Sequence, residues 1–141
     1  MEDLYFTADY VKICYKVVFL EDQLYYYIDT PGGIMNTLNN SRKLSPKYMT
    51  YPRGHIYVSE AVKDYKHLNM QQRALAAMAY QRVLRRLETE DREFAAEAQA
   101  YMRKNNHVLL RYRWGGVLVL SGLVLSISYS LWAYIFRRFA D

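Results

Sequence analysis

At 141 residues with a net charge of +5 and a single cysteine, the chain has room for one small domain or a handful of helices. Lone Cys14 excludes an intrachain disulfide and a multi-thiolate zinc site, and His55, His67 and His107 lack the i, i+4 spacing of a helix-borne metal site. Mean hydropathy is −0.26, an average of one strongly apolar segment and a polar remainder.

Charge is unevenly spread: residues 1–30 carry six acids and two bases, residues 31–86 ten bases and two acids, and residues 87–113 five of each. A basic middle suits an anionic lipid, an acidic protein surface or nucleic acid. Arg42, Lys43, Lys47, Arg53, Lys63 and Lys66 are the candidates for such contacts, but no recognition-helix or zinc-finger pattern accompanies them, so nucleic acid ranks last. Fifteen tyrosines suit contact surfaces and membrane boundaries, where a buried ring keeps a wet hydroxyl.

In chain order, Met1-Glu2-Asp3 has neither the layout of a secretory signal nor that of an Arg-rich presequence. Residues 1–30 form a Tyr-rich unit that reads as a helix capped by Asp9 or as a hairpin turning at Glu21 to Gln23, the helix being preferred. Lys12, Lys16, Glu21 and Asp22 prevent it from crossing a membrane.

Residues 31–58 hold all three prolines, at Pro31, Pro46 and Pro52, and the breaks at Gly32, Gly33 and Gly54. An extended, loop-rich segment laid along a partner is expected. Residues 59–113 read as a peripheral helical region. Ser59 is placed to cap a short helix to about Lys66, and Asn69 with Gln72 to start a long amphipathic one.

No proline or glycine interrupts Met70 to Lys104, and Tyr80, Leu84, Leu87, Phe94, Ala98 and Tyr101 fall on one side of a continuous helix. Asp91 interrupts that stripe, and Arg86 with Glu90 and Glu88 with Arg92 have the spacing of i, i+4 pairs on the other faces.

Trp114 to Phe136 is 23 residues without a charge, which as a helix extends roughly 34 Å, enough to cross a hydrocarbon core of about 30 Å. Arg111, Arg113 and Trp114 mark one boundary and Trp132, Tyr134, Arg137 and Arg138 the other, as interface anchors do. Gly115, Gly122, Ser126, Ser130 and Ala133 form a small-residue packing face suited to a second helix, from another copy or another protein. A basic tail of residues 137–141 completes the chain. A continuous helix from Met70 through Phe136 would be a rod of about 100 Å.

The expected fold is therefore mainly α: a single-pass transmembrane helix near the C-terminus, preceded by a long amphipathic helix and an extended N-terminal region. No catalytic residue set, phosphate loop or intramembrane ionisable group is recognisable, which points away from an enzyme or transporter. No cofactor is expected, an anionic lipid at the basic flanks being the one ligand the layout suggests.

The layout of one basic-flanked span and a peripheral helix resembles that of the supernumerary subunits of mitochondrial respiratory-chain complexes. That resemblance implies a structural accessory subunit of the inner membrane, its partners other membrane subunits and the bilayer; four Lys or Arg and no acid in the fifteen residues before the span, against Arg137 and Arg138 after it, then put the N-terminal region on the matrix side. The alternative expectation is a tail-anchored adaptor or assembly factor of the outer membrane, with the N-terminal region in the cytosol.

Overall fold

The computed structural model describes residues 2–14, 16, 42–111 and 116–137. Helices dominate, and no strand occurs among the described residues beyond an isolated bridge of Leu44 with Leu87. The elements are α1 (Glu2–Ile13), a 3-10 turn (Pro46–Met49), α2 (Thr50–Ala61), α3 (Lys66–Arg86), α4 (Arg92–Arg111), α5 (Gly116–Ile127), α6 (Tyr129–Trp132) and a π turn (Ala133–Arg137). Helix α1 packs on α2, α2 on α3, α3 on α4, and α4 on α5.

Residues 2–13 are helical as α1, while the rest of the stretch read as helix or hairpin, the turn at Glu21 to Gln23 included, lies outside the described residues apart from Cys14 and Lys16. Asp9 stands inside α1 rather than ahead of it, accepting from Lys12 at 3.1 Å and from the Tyr57 hydroxyl of α2.

The expected extended segment is helical from Thr50 on, because Pro52 falls in the first turn of α2, where its missing N–H has no intrahelical acceptor to lose. Ser59 lies inside α2, bonding back to the Ile56 carbonyl at 2.7 Å, and is no cap. Asn69 is likewise interior: α3 starts at Lys66, and the Asn69 amide donates to the Ser59 carbonyl at 2.8 Å, tying α3 to α2.

The uninterrupted helix expected from Met70 to Lys104 is two helices. α3 ends at Arg86, Leu87 turns extended (φ −60°, ψ 129°), and α4 starts afresh at Arg92. Asp91 supplies the start, its side chain accepting the Phe94 N–H at 2.8 Å and its carbonyl the Ala95 N–H at 3.0 Å. Glu88 and Glu90 therefore stand in a connection, without the helical spacing that would pair them with Arg92 and Arg86. Leu44 clamps the break, donating to the Arg86 carbonyl at 2.6 Å and accepting from Glu88 N–H at 3.0 Å.

Between α2 and α4, α3 is enclosed on most sides, which its alanines permit: Ala74, Ala76, Ala77 and Ala79 are all buried. Tyr80, Val83 and Leu84 of α3 meet Phe94, Ala98, Met102 and Leu109 of α4, with Leu125 and Trp132 from the apolar segment completing one core. Five of the six residues expected on one helical stripe are buried; Tyr101 is partly so, packed on that core. They converge because two helices turn toward each other.

Candidate interaction surface

The chain reverses after α4, and this overturns the long rod. Helix α5 packs back on α4, so the apolar segment runs beside the chain's own helices instead of extending them. No helix among the described residues is long and apolar enough to cross a membrane. α5 stops at Ile127, where Ser128 is extended (φ −150°, ψ 118°) and opens α6 with its hydroxyl accepting from Leu131 N–H at 3.3 Å.

The break is stabilised from α4. A helix end leaves its last carbonyls without intrahelical donors, and here Arg103 reaches the Ser126 carbonyl at 2.8 Å while Gln99 reaches that of Ile127 at 3.0 Å. Near the other end of α5, Gln81 of α3 donates to the Leu118 carbonyl at 3.3 Å. Three polar side chains thus grip the backbone of the apolar segment.

The expected packing residues are distributed unevenly. Gly122 is buried, and a Cβ placed there would stand 2.5 Å from Asn106 Oδ1, 3.1 Å from Leu109 Cδ1 and 3.2 Å from Gln81 Nε2, so its partner is this chain's own α4 and α3. Ser126 and Ala133 are half-buried, Ser130 is exposed, and Gly115 lies outside the described residues. Ser121, one residue before Gly122, is the buried serine that sequence spacing missed.

Among the expected anchors, Trp132 is displaced most: it is fully buried, with its indole N–H donating to Ser121 Oγ at 2.8 Å. The turn at Ser128 swings it inward, where an interfacial ring would have stayed wet. Tyr134 is 65% exposed, and Arg111 is exposed with a guanidinium N–H 3.5 Å from the Met70 sulfur. Arg137 donates to the Leu87 carbonyl at 3.0 Å and the Tyr129 hydroxyl at 3.3 Å, pinning the π turn to the α3–α4 connection. Arg113, Trp114 and Arg138 lie outside the described residues.

The outward side of the segment is apolar. Val117, Leu120, Leu123, Ile127, Leu131 and Tyr134 recur at steps of three and four and are all exposed, Ile127 by 74%. Ser121, Gly122, Leu125 and Trp132 face the chain while these six bulky side chains stand outward, an exposed side unlike that of a helix suited to water.

The basic residues do not form one patch. Arg53 makes a fork on Glu97 at 2.6 and 3.0 Å, and Lys47 lies over the Tyr48 ring at 5.3 Å from its centroid. Arg42 and Lys43 instead face the C-terminal end of α3 across a cavity of about 210 Å³, which Arg85, Arg86 and Arg137 also line.

Glu97 also accepts from the Tyr80 hydroxyl. Burial works to raise its carboxyl, but the hydrogen bonds from Arg53 and Tyr80 outweigh it and hold the group below its ordinary value. Burial and the neighbouring carboxylate push the Tyr80 phenol upward. Arg53 and Glu97 thus form an ion pair that locks α2 to α4. His55 Nδ1 lies 2.9 Å from the Gln72 side-chain oxygen, with its ring edge-on to Tyr51, bridging α2 to α3. Among the described residues no group of three metal-ligating side chains converges.

No protein-family model matches the chain, and no curated protein or solved structure is significantly similar to it.

Proposed function

We propose that this chain is a non-catalytic accessory subunit of a multisubunit membrane complex, stabilising its assembly through the apolar face of residues 114–136. The observation that carries this reading is the row of exposed Val117, Leu120, Leu123, Ile127, Leu131 and Tyr134 on a segment with no charge among 23 residues. Exposed apolar side chains in that number are unfavourable in water and favourable against acyl chains or neighbouring membrane helices. The layout of the chain supports the mitochondrial inner membrane as its setting.

In the finer form of this reading, residues 114–136 cross the bilayer as one helix. The turn at Ser128 would then close, separating Trp132 from Ser121 and releasing Gln99 and Arg103 from the carbonyls they hold. Backbone groups in hydrocarbon must find partners within the helix, which supplies the driving force for that closure.

The test is purification in mild detergent followed by a native gel, with alkaline extraction of the membranes alongside. The wild-type chain is expected to stay in the alkali-resistant pellet and to co-migrate stoichiometrically with a large complex. The Leu120→Glu/Ile127→Glu variant, changed only at exposed positions, should keep its helicity and lose both properties. Release of the wild-type chain by alkali, or substoichiometric association as for an adaptor, would overturn the subunit reading.

A further inference from the structure

The pairing of Leu44 with Leu87 brings Arg42 and Lys43, remote in sequence, against the C-terminal end of α3. Arg137 arrives from the other direction, fixed through the Leu87 carbonyl. The resulting cavity of about 210 Å³ is lined by Arg42, Lys43, Arg85, Arg86 and Arg137, with Glu88 as the one carboxylate among the described lining residues. Among the described lining residues basic side chains outnumber acidic ones, with Glu90 reaching the Tyr129 hydroxyl to which Arg137 also donates.

A helix C-terminus welcomes cations, its carbonyls amounting to about half a negative charge, and that accounts for part of the cluster. Arg85 Nε is buried without a hydrogen-bond partner, an arrangement that leaves a charged donor group incompletely satisfied. The Arg86 guanidinium is held below its ordinary pKa, first by burial and then by the charges of Arg82 and Arg85. Like charges gathered at this density favour an anion between them, and guanidinium forks match the oxygens of phosphate.

Arg85 and Arg86 also line a second cavity, of about 310 Å³, whose other walls include Tyr51, Leu75, Met78 and Leu118. A polar basic chamber and a more apolar one therefore share two arginines.

We propose that the basic cleft at the α3–α4 connection binds a phosphate group, and that the adjoining cavity receives an apolar portion when the phosphate carries one. An anionic phospholipid headgroup and a free phosphate share this chemistry. Of the two arginines that reach both chambers, Arg85 holds the central position because its buried Nε has no hydrogen-bond partner, while Arg42 and Lys43 line the exposed side.

Isothermal titration of the full chain in a neutral detergent tests the site, with three probes: inorganic phosphate, micelles containing phosphatidylglycerol and micelles containing phosphatidylcholine. Saturable binding of phosphate or of phosphatidylglycerol, with phosphatidylcholine inert, is expected; binding of phosphate alone identifies the free ion, and binding of phosphatidylglycerol alone the headgroup. Arg85→Gln/Lys43→Gln should weaken it about tenfold or more, whereas the charge-matched Lys66→Gln/Lys104→Gln should leave it within about twofold. Should the first variant fold poorly by far-UV dichroism, Arg42→Gln/Lys43→Gln, at two exposed positions, carries the same expectation. Absence of saturable binding, or equal loss in the control pair, would overturn the site. The phosphate arm requires no partner subunit, so its failure would leave the membrane-complex reading to stand or fall on co-migration.

Discussion

Glu97 joins three elements through two partners, Arg53 of α2 and Tyr80 of α3, from its own place on α4. Because its folded pKa lies below the ordinary 4.5, the stability it contributes is present above that value and is lost as pH falls through the folded value. Comparing urea midpoints of the wild type and Glu97→Gln should therefore show the variant weaker at neutral pH and the gap closing well below 4.5. A gap that persisted into acid would mean the ionised carboxylate is not the source. Glu97 itself was not legible as a contact residue, since its partners lie 44 and 17 positions away. Asp91 was legible but misread. An Asp three residues ahead of a buried Phe is an N-cap pattern, and the continuous run of good helix formers around it concealed the start of a new helix.

Among elements, α5 shows how a residue pattern can be right while its partner is unknown. Small residues at Gly122 and its neighbours indicate close approach of another helix, and the helix that approaches is α4. Gly122→Leu is expected to destabilise the chain by about 1–3 kcal/mol, since the first added carbon already meets Asn106 Oδ1 and the rest meets Leu109. Chemical unfolding measures this directly. Unchanged stability would show that α5 does not pack on α4 in solution, and would return Gly122 to the role of an external contact. The prolines misled in the opposite sense. They mark breaks by composition, yet Pro52 enters a helix at the one turn where proline is harmless.

For the whole molecule, the alternatives are a rod and a folded-back bundle. Along a continuous helix, positions 99 and 127 would be separated by about 42 Å. In the bundle the Gln99 amide lies 3.0 Å from the Ile127 carbonyl. With Cys14→Ser removing the native thiol, spin labels at Gln99→Cys and Ile127→Cys should accordingly report a short distance in detergent, and a distance near that of the rod would refute the bundle. The same measurement in membranes tests whether α5 stays beside α4 when the Ser128 turn is free to close.

Local chemistry determined much of this protein. Helical propensity, the stripe from Tyr80 to Ala98 that became core, and the uncharged run of 23 residues all arise from side chains acting within a turn or two of their neighbours. Tertiary structure alone decided where the chain reverses, because reversal depends on groups far apart in sequence satisfying one another: Leu44 on the C-terminal end of α3, Arg103 and Gln99 on the end of α5, Trp132 on Ser121. It also decided which side of the apolar segment is left exposed. Periodicity identifies a face, but only packing shows that Gly122 turns inward and Leu120 outward. The basic cleft arose in the same way, from five side chains spread over nearly a hundred positions that meet because the backbone of Leu44 pairs with that of Leu87 and Arg137 reaches the Leu87 carbonyl.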